Sequence, residues 1–323
     1  MRQYVIDFVL SKQLTAGPKA REDVNQILAG MGYETILLSY SRRTPVQSLL
    51  SIFSVFFRVS YGSKVLIQYP IGRIVPTSIV IILLKIKRCR ITLLVHDLES
   101  LRRSGHLSSK EMYSINSADK VIVHTLAMKQ LLVQSGMTVR DVRILNVFDY
   151  LIDYERVDGL NRENVVVFVG NLVKAPCVLL FDKCGILFHL YGAKDPRVND
   201  NKVIYKGKFQ SNDMRPIEGD WGLVWDGESV ETCSGVLGEY LRYNAPHKLS
   251  LYLSAGLPVI VWSQSAEKDF VVNNGLGIAV DNLMSLGKVL DCITDLQYVE
   301  MKKNVRALGA MIHQGDMLKK TLE

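Results

Sequence analysis

Short apolar runs recur along the first half of the chain, and the segments between them are long enough to form helices. The runs are apolar at consecutive positions, which is typical of strands buried on both faces in a parallel sheet. A helix is predicted between the first two runs, over residues 19–33. The strands predicted in this half are 4–9, 35–40, 64–69, 90–97 and 120–125.

The pattern lapses at residues 149–164, which are polar and irregular and which we interpret as a linker. A second series of apolar runs follows, and the end of the chain, including 299–314, has a helical pattern. We therefore predict two α/β domains, residues 1–150 and 151–323, each Rossmann-like with a doubly wound sheet and facing the other across a central cleft. The last helix could pack back on the N-terminal domain. The strands predicted in the second half are 165–170, 186–192, 202–207, 221–227, 258–262 and 277–280.

Composition is that of a globular protein with sizeable cores. The chain has 323 residues, of which 48% are hydrophobic and 22% are charged, so two domains are expected. The first residues read as a strand, and no signal peptide is visible. The cysteines are scattered and form no CxxC pair, which indicates a reducing compartment, a cytoplasmic location and no zinc site. They are Cys89, Cys177, Cys184, Cys233 and Cys292.

Positive charge is concentrated in the N-terminal half. Residues 1–150 contain 20 Lys and Arg against 10 Asp and Glu, whereas residues 151–323 contain 19 against 22. This half therefore favours an anionic partner, such as nucleic acid, an anionic membrane surface or a phosphorylated lipid. The most apolar window, 74–84, is too short to span a bilayer and precedes the basic cluster Lys85, Lys87, Arg88 and Arg90. It could be a buried helix with a solvated end or a face that contacts a membrane peripherally.

Polar residues follow three consecutive strands of the first domain. They are Gln68 and Tyr69, then His96 and Asp97, then His124. Each could be an ordinary loop residue, but the carboxyl ends of parallel strands meet at one sheet edge, where ligands bind. Three strands ending in this way favour a functional site.

The second domain has a similar series and one further feature. Asn171 and Lys174 follow a strand, and Tyr191 and Asp226 lie at the ends of two others, where ordinary turns are the alternative. The further feature is the segment NAPHKLS, which begins a predicted helix at Pro246 and places Lys248 in the first turn. A helix N-terminus already favours anions, so an added cation there predicts a phosphate site, with His247 and Ser250 as further donors. A solvated lysine is the alternative.

The motifs that are missing narrow the chemistry. The sequence has no GxGxxG after a strand, no GxxxxGK[ST], no HExxH and no DxD. It also lacks a recognition helix or an aromatic and basic stacking motif, so nucleic acid is not the expected partner. A basic diphosphate site without metal ligands suits a metal-independent sugar-nucleotide transferase, in which lysines and helix N–H groups stabilise the leaving nucleoside diphosphate. We expect no cofactor and no metal.

Four stretches of the chain resemble one family of enzymes. They are residues 15–24, 95–102, 169–176 and, above all, 222–262. The chain resembles bacterial galactofuranosyltransferases of O-antigen, capsule and exopolysaccharide synthesis, and more distantly the glucosyltransferases that extend sugars on streptococcal serine-rich adhesins. This resemblance implies a GT-B fold, a UDP-sugar held mainly by the C-terminal domain, and a glycan or lipid-linked acceptor held by the N-terminal one.

The resemblance also implies roles for residues of the second domain. Lys174 and Lys248 would contact the diphosphate, and Tyr191 would lie beside the nucleotide. The adhesin relatives have Arg at position 174, so Lys offers a point charge there in place of a bidentate fork. The block that includes Tyr240 favours galactofuranose over glucose. The full set of expected donor-binding residues is Asn171, Lys174, Tyr191, Asp226, Asn244, His247, Lys248 and Ser250.

The resemblance further implies an inverting reaction, which needs one general base in the first domain. We predict Asp97, with His96 second and Glu22 and Asp23 weaker, although Asp97 could instead cap the helix that begins DLES. The expected acceptor-binding residues are Thr15, Gly17, Lys19, Tyr69 and His124. A lipid diphosphate could be contacted by Arg21, Lys19, Arg102 and Arg103, for which solvated surface charge is the alternative.

Three functions remain open on the sequence alone. The chain could transfer galactofuranose from UDP-galactofuranose, or it could use UDP-glucose or UDP-N-acetylglucosamine. It could also be a non-catalytic sugar-nucleotide-binding subunit of a partner transferase. In each case we expect a homo-oligomer.

Overall fold

A computed structural model describes residues 1–8, 16–39, 44–152, 162–195, 197–198 and 203–323 of the chain. These residues divide into two compact units. The first takes the described residues of Met1–Gln13, Arg21–Leu145 and Leu318–Glu323, and the second those of Leu14–Ala20 and Asn146–Met317. Within the predicted linker, residues 149–152 and 162–164 form no helix or strand, and 153–161 lie outside the described residues.

The first unit is built on a parallel sheet of six strands with the order β2-β1-β3-β4-β5-β6. The order reverses between β1 and β3, which is the switch point where ligands bind in such sheets. The strands are β1 (Gln3–Phe8), β2 (Glu34–Leu38), β3 (Lys64–Tyr69), β4 (Arg90–Val95), β5 (Lys120–Val123) and β6 (Asp141–Ile144). The helices are α1 (Ala16–Gly30), whose residues before Arg21 are counted with the second unit, α2 (Pro45–Arg58), α3 (Ile74–Ile86), α4 (Glu99–Ser104), α5 (Ser109–Asn116) and α6 (Leu126–Gln134).

The second unit repeats the architecture with the strand order β12-β11-β10-β7-β8-β9, again all parallel. Its strands are β7 (Val166–Asn171), β8 (Phe188–Ala193), β9 (Val203–Gly207), β10 (Trp221–Val224), β11 (Val259–Trp262) and β12 (Gly277–Val280). Two 3₁₀ helices, Leu172–Lys174 and Pro176–Cys184, follow β7. The α-helices are α7 (Gly235–Tyr240), α8 (His247–Ser254), α9 (Lys268–Asn273), α10 (Leu286–Asp291), α11 (Asp295–His313) and α12 (Asp316–Leu322), whose residues from Leu318 onward are counted with the first unit.

The predicted fold class, α/β with two doubly wound parallel sheets, is confirmed. Each predicted strand coincides with a strand of the structure to within a few residues, although positions 9, 40 and 202 lie outside the described residues. The strand β6 was missed, because Asp141–Ile144 alternates polar and apolar residues at the sheet edge and has no apolar run. The apolar window 74–84 forms most of α3, and within the described residues no helix combines the length and apolar character needed to cross a membrane.

Helix α8 is fixed to the second sheet by one aromatic side chain. Tyr252 is fully buried, and its ring lies on Gly222 of β10, where an added Cβ would stand 2.2 Å from the ring carbon Cγ. Its hydroxyl accepts a hydrogen bond from the Val169 N–H of β7 at 2.8 Å. The helix therefore packs at a set distance from two central strands, which positions its first turn at their carboxyl ends.

Candidate functional site

Lys248 lies in the first turn of α8 and has a carboxylate partner within the protein. Its Nζ donates to Asp226 Oδ1 and to the Trp225 backbone oxygen, both at 2.9 Å. The ammonium also stands 4.6 Å from the centre of the Phe168 ring. The alternative of a solvated lysine is therefore wrong. The anion that offsets a cation at a helix N-terminus is supplied here by Asp226, and a bound phosphate would have to share Lys248 with it.

The loop that carries Asp226 has a restricted shape. Gly227 has a φ of 111°, and an added Cβ would stand 2.3 Å from the Ser234 backbone oxygen. Both the conformation and the close approach require glycine at this position. The loop after β10 is thereby folded tightly, so the Asp226 carboxylate is held in a fixed position beside the start of α8.

The other predicted residues around α8 differ in accessibility. Ser250 is buried inside the helix, so its hydroxyl is not exposed to a ligand. His247 stacks on Tyr150, with ring centres 5.0 Å apart. Asn244 is almost fully buried, and its Oδ1 accepts no hydrogen bond within the described residues. A buried carbonyl oxygen without a donor is costly, so Asn244 marks a place where a ligand or water would bind.

A second group of buried polar atoms lies beside this one and was missed by sequence reasoning. The loop after β11 touches the segment before Asn244, because Ala266 N–H donates to the Leu241 oxygen at 2.9 Å. In that loop Glu267 is fully buried and neither carboxylate oxygen has a hydrogen-bond partner among the described residues. Burial raises the pKa of Glu267 well above its ordinary value. The sequence signal that could have identified Glu267 was its position in the loop after a buried strand.

Lys174 and Asn171 are both exposed at the end of β7 and the turn after it. Asn171 ends β7, and Lys174 ends the 3₁₀ helix that follows. In the part of the chain that the structure describes, the Lys174 ammonium has no ion-pair partner, in contrast to Lys248. Tyr191 is fully buried instead: its hydroxyl donates to the Pro216 oxygen at 2.9 Å. It supports the segment after β9 and presents no open face to a nucleotide.

A buried polar network closes the carboxyl ends of β1 and β3 in the first unit. Arg21 of α1 donates through Nη1 to Asp7 Oδ1 at 2.7 Å and to the Gln68 oxygen at 3.0 Å, and through Nη2 to the Pro70 oxygen at 2.9 Å. Burial lowers the pKa of Arg21, although the Asp7 carboxylate opposes this. Arg21 is thus an internal tie between strands. Neither predicted alternative, lipid contact or solvated charge, describes it.

The same network fixes the proton position on His96. Gln68 Nε2 donates to Asn25 Oδ1 at 2.8 Å, which leaves Gln68 Oε1 to accept from His96 Nε2 at 2.8 Å. The neutral imidazole then carries its proton on Nε2 and its lone pair on Nδ1. His96 is half-buried. Its second ring nitrogen therefore has the electronic character of a base.

Asp97 forms an ion pair but does not cap the next helix. Its Oδ2 accepts from Arg102 Nη1 at 2.7 Å, and both side chains are partly exposed. The N-cap residue of α4 is Leu98. The first-turn N–H groups of Glu99 and Ser100 donate to the Glu111 carboxylate at 2.8 and 2.9 Å. The alternative that Asp97 acts as a helix cap is therefore wrong.

Glu111 was missed in the sequence and organises this region. It is completely buried, caps α4, and accepts a hydrogen bond from the Tyr69 hydroxyl at 3.1 Å. Burial and, to a lesser extent, the nearby Glu111 carboxylate raise the pKa of Tyr69. The available signal was the capping pattern Ser108-x-x-Glu111, because Ser108 Oγ accepts from the Glu111 N–H at 3.2 Å.

The predicted acceptor residues are mostly internal. Tyr69 is fully buried on Glu111, and His124 is buried with Nε2 donating to the Val95 oxygen at 2.7 Å. Burial lowers the pKa of His124 to about 4. Lys19 is buried and donates to the Leu151 oxygen at 2.6 Å. Gly17 lies in α1, and Thr15 lies outside the described residues. Tyr69, His124 and Lys19 therefore make internal contacts and do not line an open surface.

The remaining predicted residues, on α1 and α4, differ in exposure. Glu22 is exposed and Asp23 is buried on α1. Arg103 Nη2 is 3.1 Å from Glu99 Oε1. Within the described residues, no group of three His, Cys, Asp or Glu side chains is arranged to hold a metal ion.

The family models and named relatives that match the chain are glycosyltransferases. A family model described as the glucosyltransferase 3-like N-terminal domain matches residues 2–147, and its C-terminal counterpart matches residues 166–323. The chain is 33% identical over 242 residues to beta-1,6-galactofuranosyltransferase WbbI of Escherichia coli (strain K12), covering 74% of this chain and 72% of that one. It is 26% identical to glucosyltransferase 3 of Streptococcus gordonii over 94% of this chain and 92% of the relative.

Solved structures share the fold at low identity. The lipopolysaccharide outer core galactosyltransferase WaaB superposes with a TM-score of 0.60 at 10% identity, over 100% of this chain and 99% of that one. An alpha-glucosyltransferase in complex with UDP gives a TM-score of 0.55 at 10% identity, over 98% and 96% of the two chains. These neighbours support the GT-B fold.

Proposed function

The chain belongs to the glucosyltransferase 3-like family of UDP-sugar-dependent glycosyltransferases, and we propose that it transfers galactofuranose from UDP-galactofuranose to a hydroxyl of a glycan acceptor. The relative named as a galactofuranosyltransferase is 33% identical, against 26% for one named as a glucosyltransferase. The acceptor that fits an enzyme of O-antigen or capsule synthesis is a lipid-linked glycan, and the enzyme would meet it in the cytoplasm.

The observation that carries the chemistry is the arrangement at the start of α8. Breaking the bond between sugar and UDP places negative charge on the departing pyrophosphate, and preformed positive groups lower the barrier by stabilising that charge. Lys248, the first-turn N–H groups of α8 and the exposed Lys174 are groups of this kind. Asn171 and the buried Asn244 oxygen are polar groups at the same end of the sheet and would bind other parts of the donor.

The proposed reaction inverts the anomeric centre and needs no divalent ion. An acceptor hydroxyl attacks the anomeric carbon from the face opposite UDP, and its proton passes to a base. Asp97 is the proposed base, since one oxygen is held by Arg102 and the side chain is partly exposed. His96 is the second candidate, because its lone pair lies on Nδ1. With two lysines in the role of a metal, we expect turnover to survive EDTA.

A donor panel tests the proposal. UDP release would be measured with UDP-galactofuranose, UDP-glucose and UDP-N-acetylglucosamine and a synthetic lipid-linked acceptor. Preferred turnover of the first donor is the expected result. Preference for another donor would replace galactofuranose with that sugar. UDP binding without turnover of any donor would support the non-catalytic subunit.

The base is tested by Asp97→Asn, with Asp141→Asn as the control. Asp141 is a partly exposed carboxylate paired with a neighbouring arginine, Arg143, at 3.0 Å in the same unit. We expect Asp97→Asn to bind UDP normally and lose transfer, while the control keeps both. Near-normal turnover of Asp97→Asn would rule out Asp97. His96→Gln would then test the alternative, because Gln keeps the donor to Gln68 and has no basic nitrogen.

A further inference from the structure

Helix α2 exposes a stripe of apolar side chains to solvent. The stripe residues recur at helical spacing along one face, and the opposite face buries Ser48, Ile52 and Val55. Leu50 is 66% exposed and Phe57 is 84% exposed, which is unusual for such large apolar side chains. The stripe consists of Val46, Leu49, Leu50, Phe53 and Phe57.

The neighbouring helix also exposes apolar side chains. Helix α3 packs against α2 and exposes Val75, Ile82 and Ile86 at helical spacing. The two helices are tied at their C-terminal ends, where Lys87 Nζ donates to the Phe56 oxygen at 2.5 Å. We call the α2 stripe and these three α3 residues the apolar face.

The chain segment that forms this face carries cations and no carboxylates. Residues 35–96 contain nine Lys and Arg and no Asp or Glu. Arg58 ends α2, Lys85 lies in the last turn of α3, and Arg88 follows it; all three are exposed. The same edge carries exposed Lys64 and Arg90, the first residues of β3 and β4. This basic edge lies at the amino ends of the strands, opposite the carboxyl ends where a UDP-sugar or acceptor would bind, so the catalytic reaction does not account for it.

We propose that the apolar face and the basic edge dock on an anionic phospholipid surface. Exposed Leu and Phe side chains can enter the boundary between headgroups and acyl chains, while Lys and Arg attract the lipid phosphates. A second copy of the chain fits less well, because self-association through this face would bring two basic edges together. Nucleic acid would use the cations but leave the apolar face in water. The inference is independent of the donor sugar.

Co-sedimentation of the full chain with vesicles tests this. We expect binding to phosphatidylcholine vesicles that contain one-third phosphatidylglycerol, and little binding to phosphatidylcholine alone. Raising NaCl to about 0.5 M should weaken binding, since the Debye length then falls below about 5 Å. Equal binding to both vesicle types, or no binding to either, would overturn the proposal.

Paired variants separate the two parts of the surface. Lys85→Glu with Arg88→Glu, and separately Leu50→Ser with Phe57→Ser, should each lower partitioning on the order of tenfold or more. The controls are Arg140→Glu, at an exposed arginine of the same unit, and Leu296→Ser, at a residue of α11 that is 84% exposed. Both should bind vesicles like the wild type.

Folding and oligomeric state are checked on the same set of variants. UDP binding should be unchanged in every variant, which shows that loss of vesicle binding is not loss of fold. Sedimentation velocity would report any self-association. A dimer that Leu50→Ser with Phe57→Ser dissociates, together with unchanged vesicle binding, would assign the apolar face to a second copy and overturn the membrane proposal.

Discussion

Replacing Lys248 with methionine should weaken UDP binding while leaving uridine binding unchanged. The ammonium has three N–H donors, of which two are directed to Asp226 and the Trp225 oxygen at 2.9 Å. The third can bind a phosphate oxygen. One charge-assisted hydrogen bond contributes about 1.5–3 kcal/mol, so Lys248→Met should raise the UDP Kd by about 10- to 150-fold. Uridine lacks the pyrophosphate, so its Kd should stay the same.

Titration calorimetry with both ligands measures this, and two variants control for stability. Lys248→Met leaves the Asp226 carboxylate without its cation, whereas Lys248→Met with Asp226→Asn removes that defect. The double variant should regain stability but keep the weak UDP affinity. Lys303→Met removes an exposed lysine 3.4 Å from Glu300 on α11 and should bind UDP normally. A UDP Kd that changes less than twofold in Lys248→Met, or a parallel loss of uridine, would refute the reasoning.

Three further predictions concern the supporting residues. The pKa of His124 is about 4 in the fold and about 6.5 unfolded, so the protein loses stability as the pH falls below 6.5. At pH 5 the loss should be about 2 kcal/mol. The urea midpoint of His124→Gln should fall less steeply over the same pH range than that of the wild type. Glu111→Gln should lower stability by about 2 kcal/mol and reduce turnover more than UDP affinity, measured by urea unfolding and kinetics. Gly222→Ala should cost about 3 kcal/mol or more, measured by thermal unfolding, because its Cβ would meet the Tyr252 ring at 2.2 Å.

Strand positions were predictable because burial on both faces leaves an unbroken apolar signal. The strands β3 and β12 match their predicted runs from end to end. The edge strand β6 has a half-exposed pattern that a short polar segment also shows, so it was missed. Local hydrophobicity therefore identifies the centre of each sheet better than its edges.

Candidate site residues were harder to place, because their roles depend on partners distant in sequence. Lys248 and Asp226 are 22 positions apart, and Arg21 joins segments 14 to 49 positions away. A strand-end position predicts that a side chain lies at the ligand-binding edge, but it does not tell whether that side chain faces outward. Tyr69, His124 and Tyr191 share such positions and are buried. Glu111 shows the reverse case, since a capping pattern marks it but its contact with α4 is tertiary.

The packing of the Tyr252 ring on Gly222 has a consequence for engineering this enzyme. Because the hydroxyl binds a β7 amide and the ring meets β10, the depth and tilt of α8 are set by the sheet and not by the loops before it. Insertions or grafts between β10 and α7 that leave Trp225, Asp226 and Gly227 in place could then be screened for altered donor preference, with the lysine-bearing helix tip as a fixed reference point.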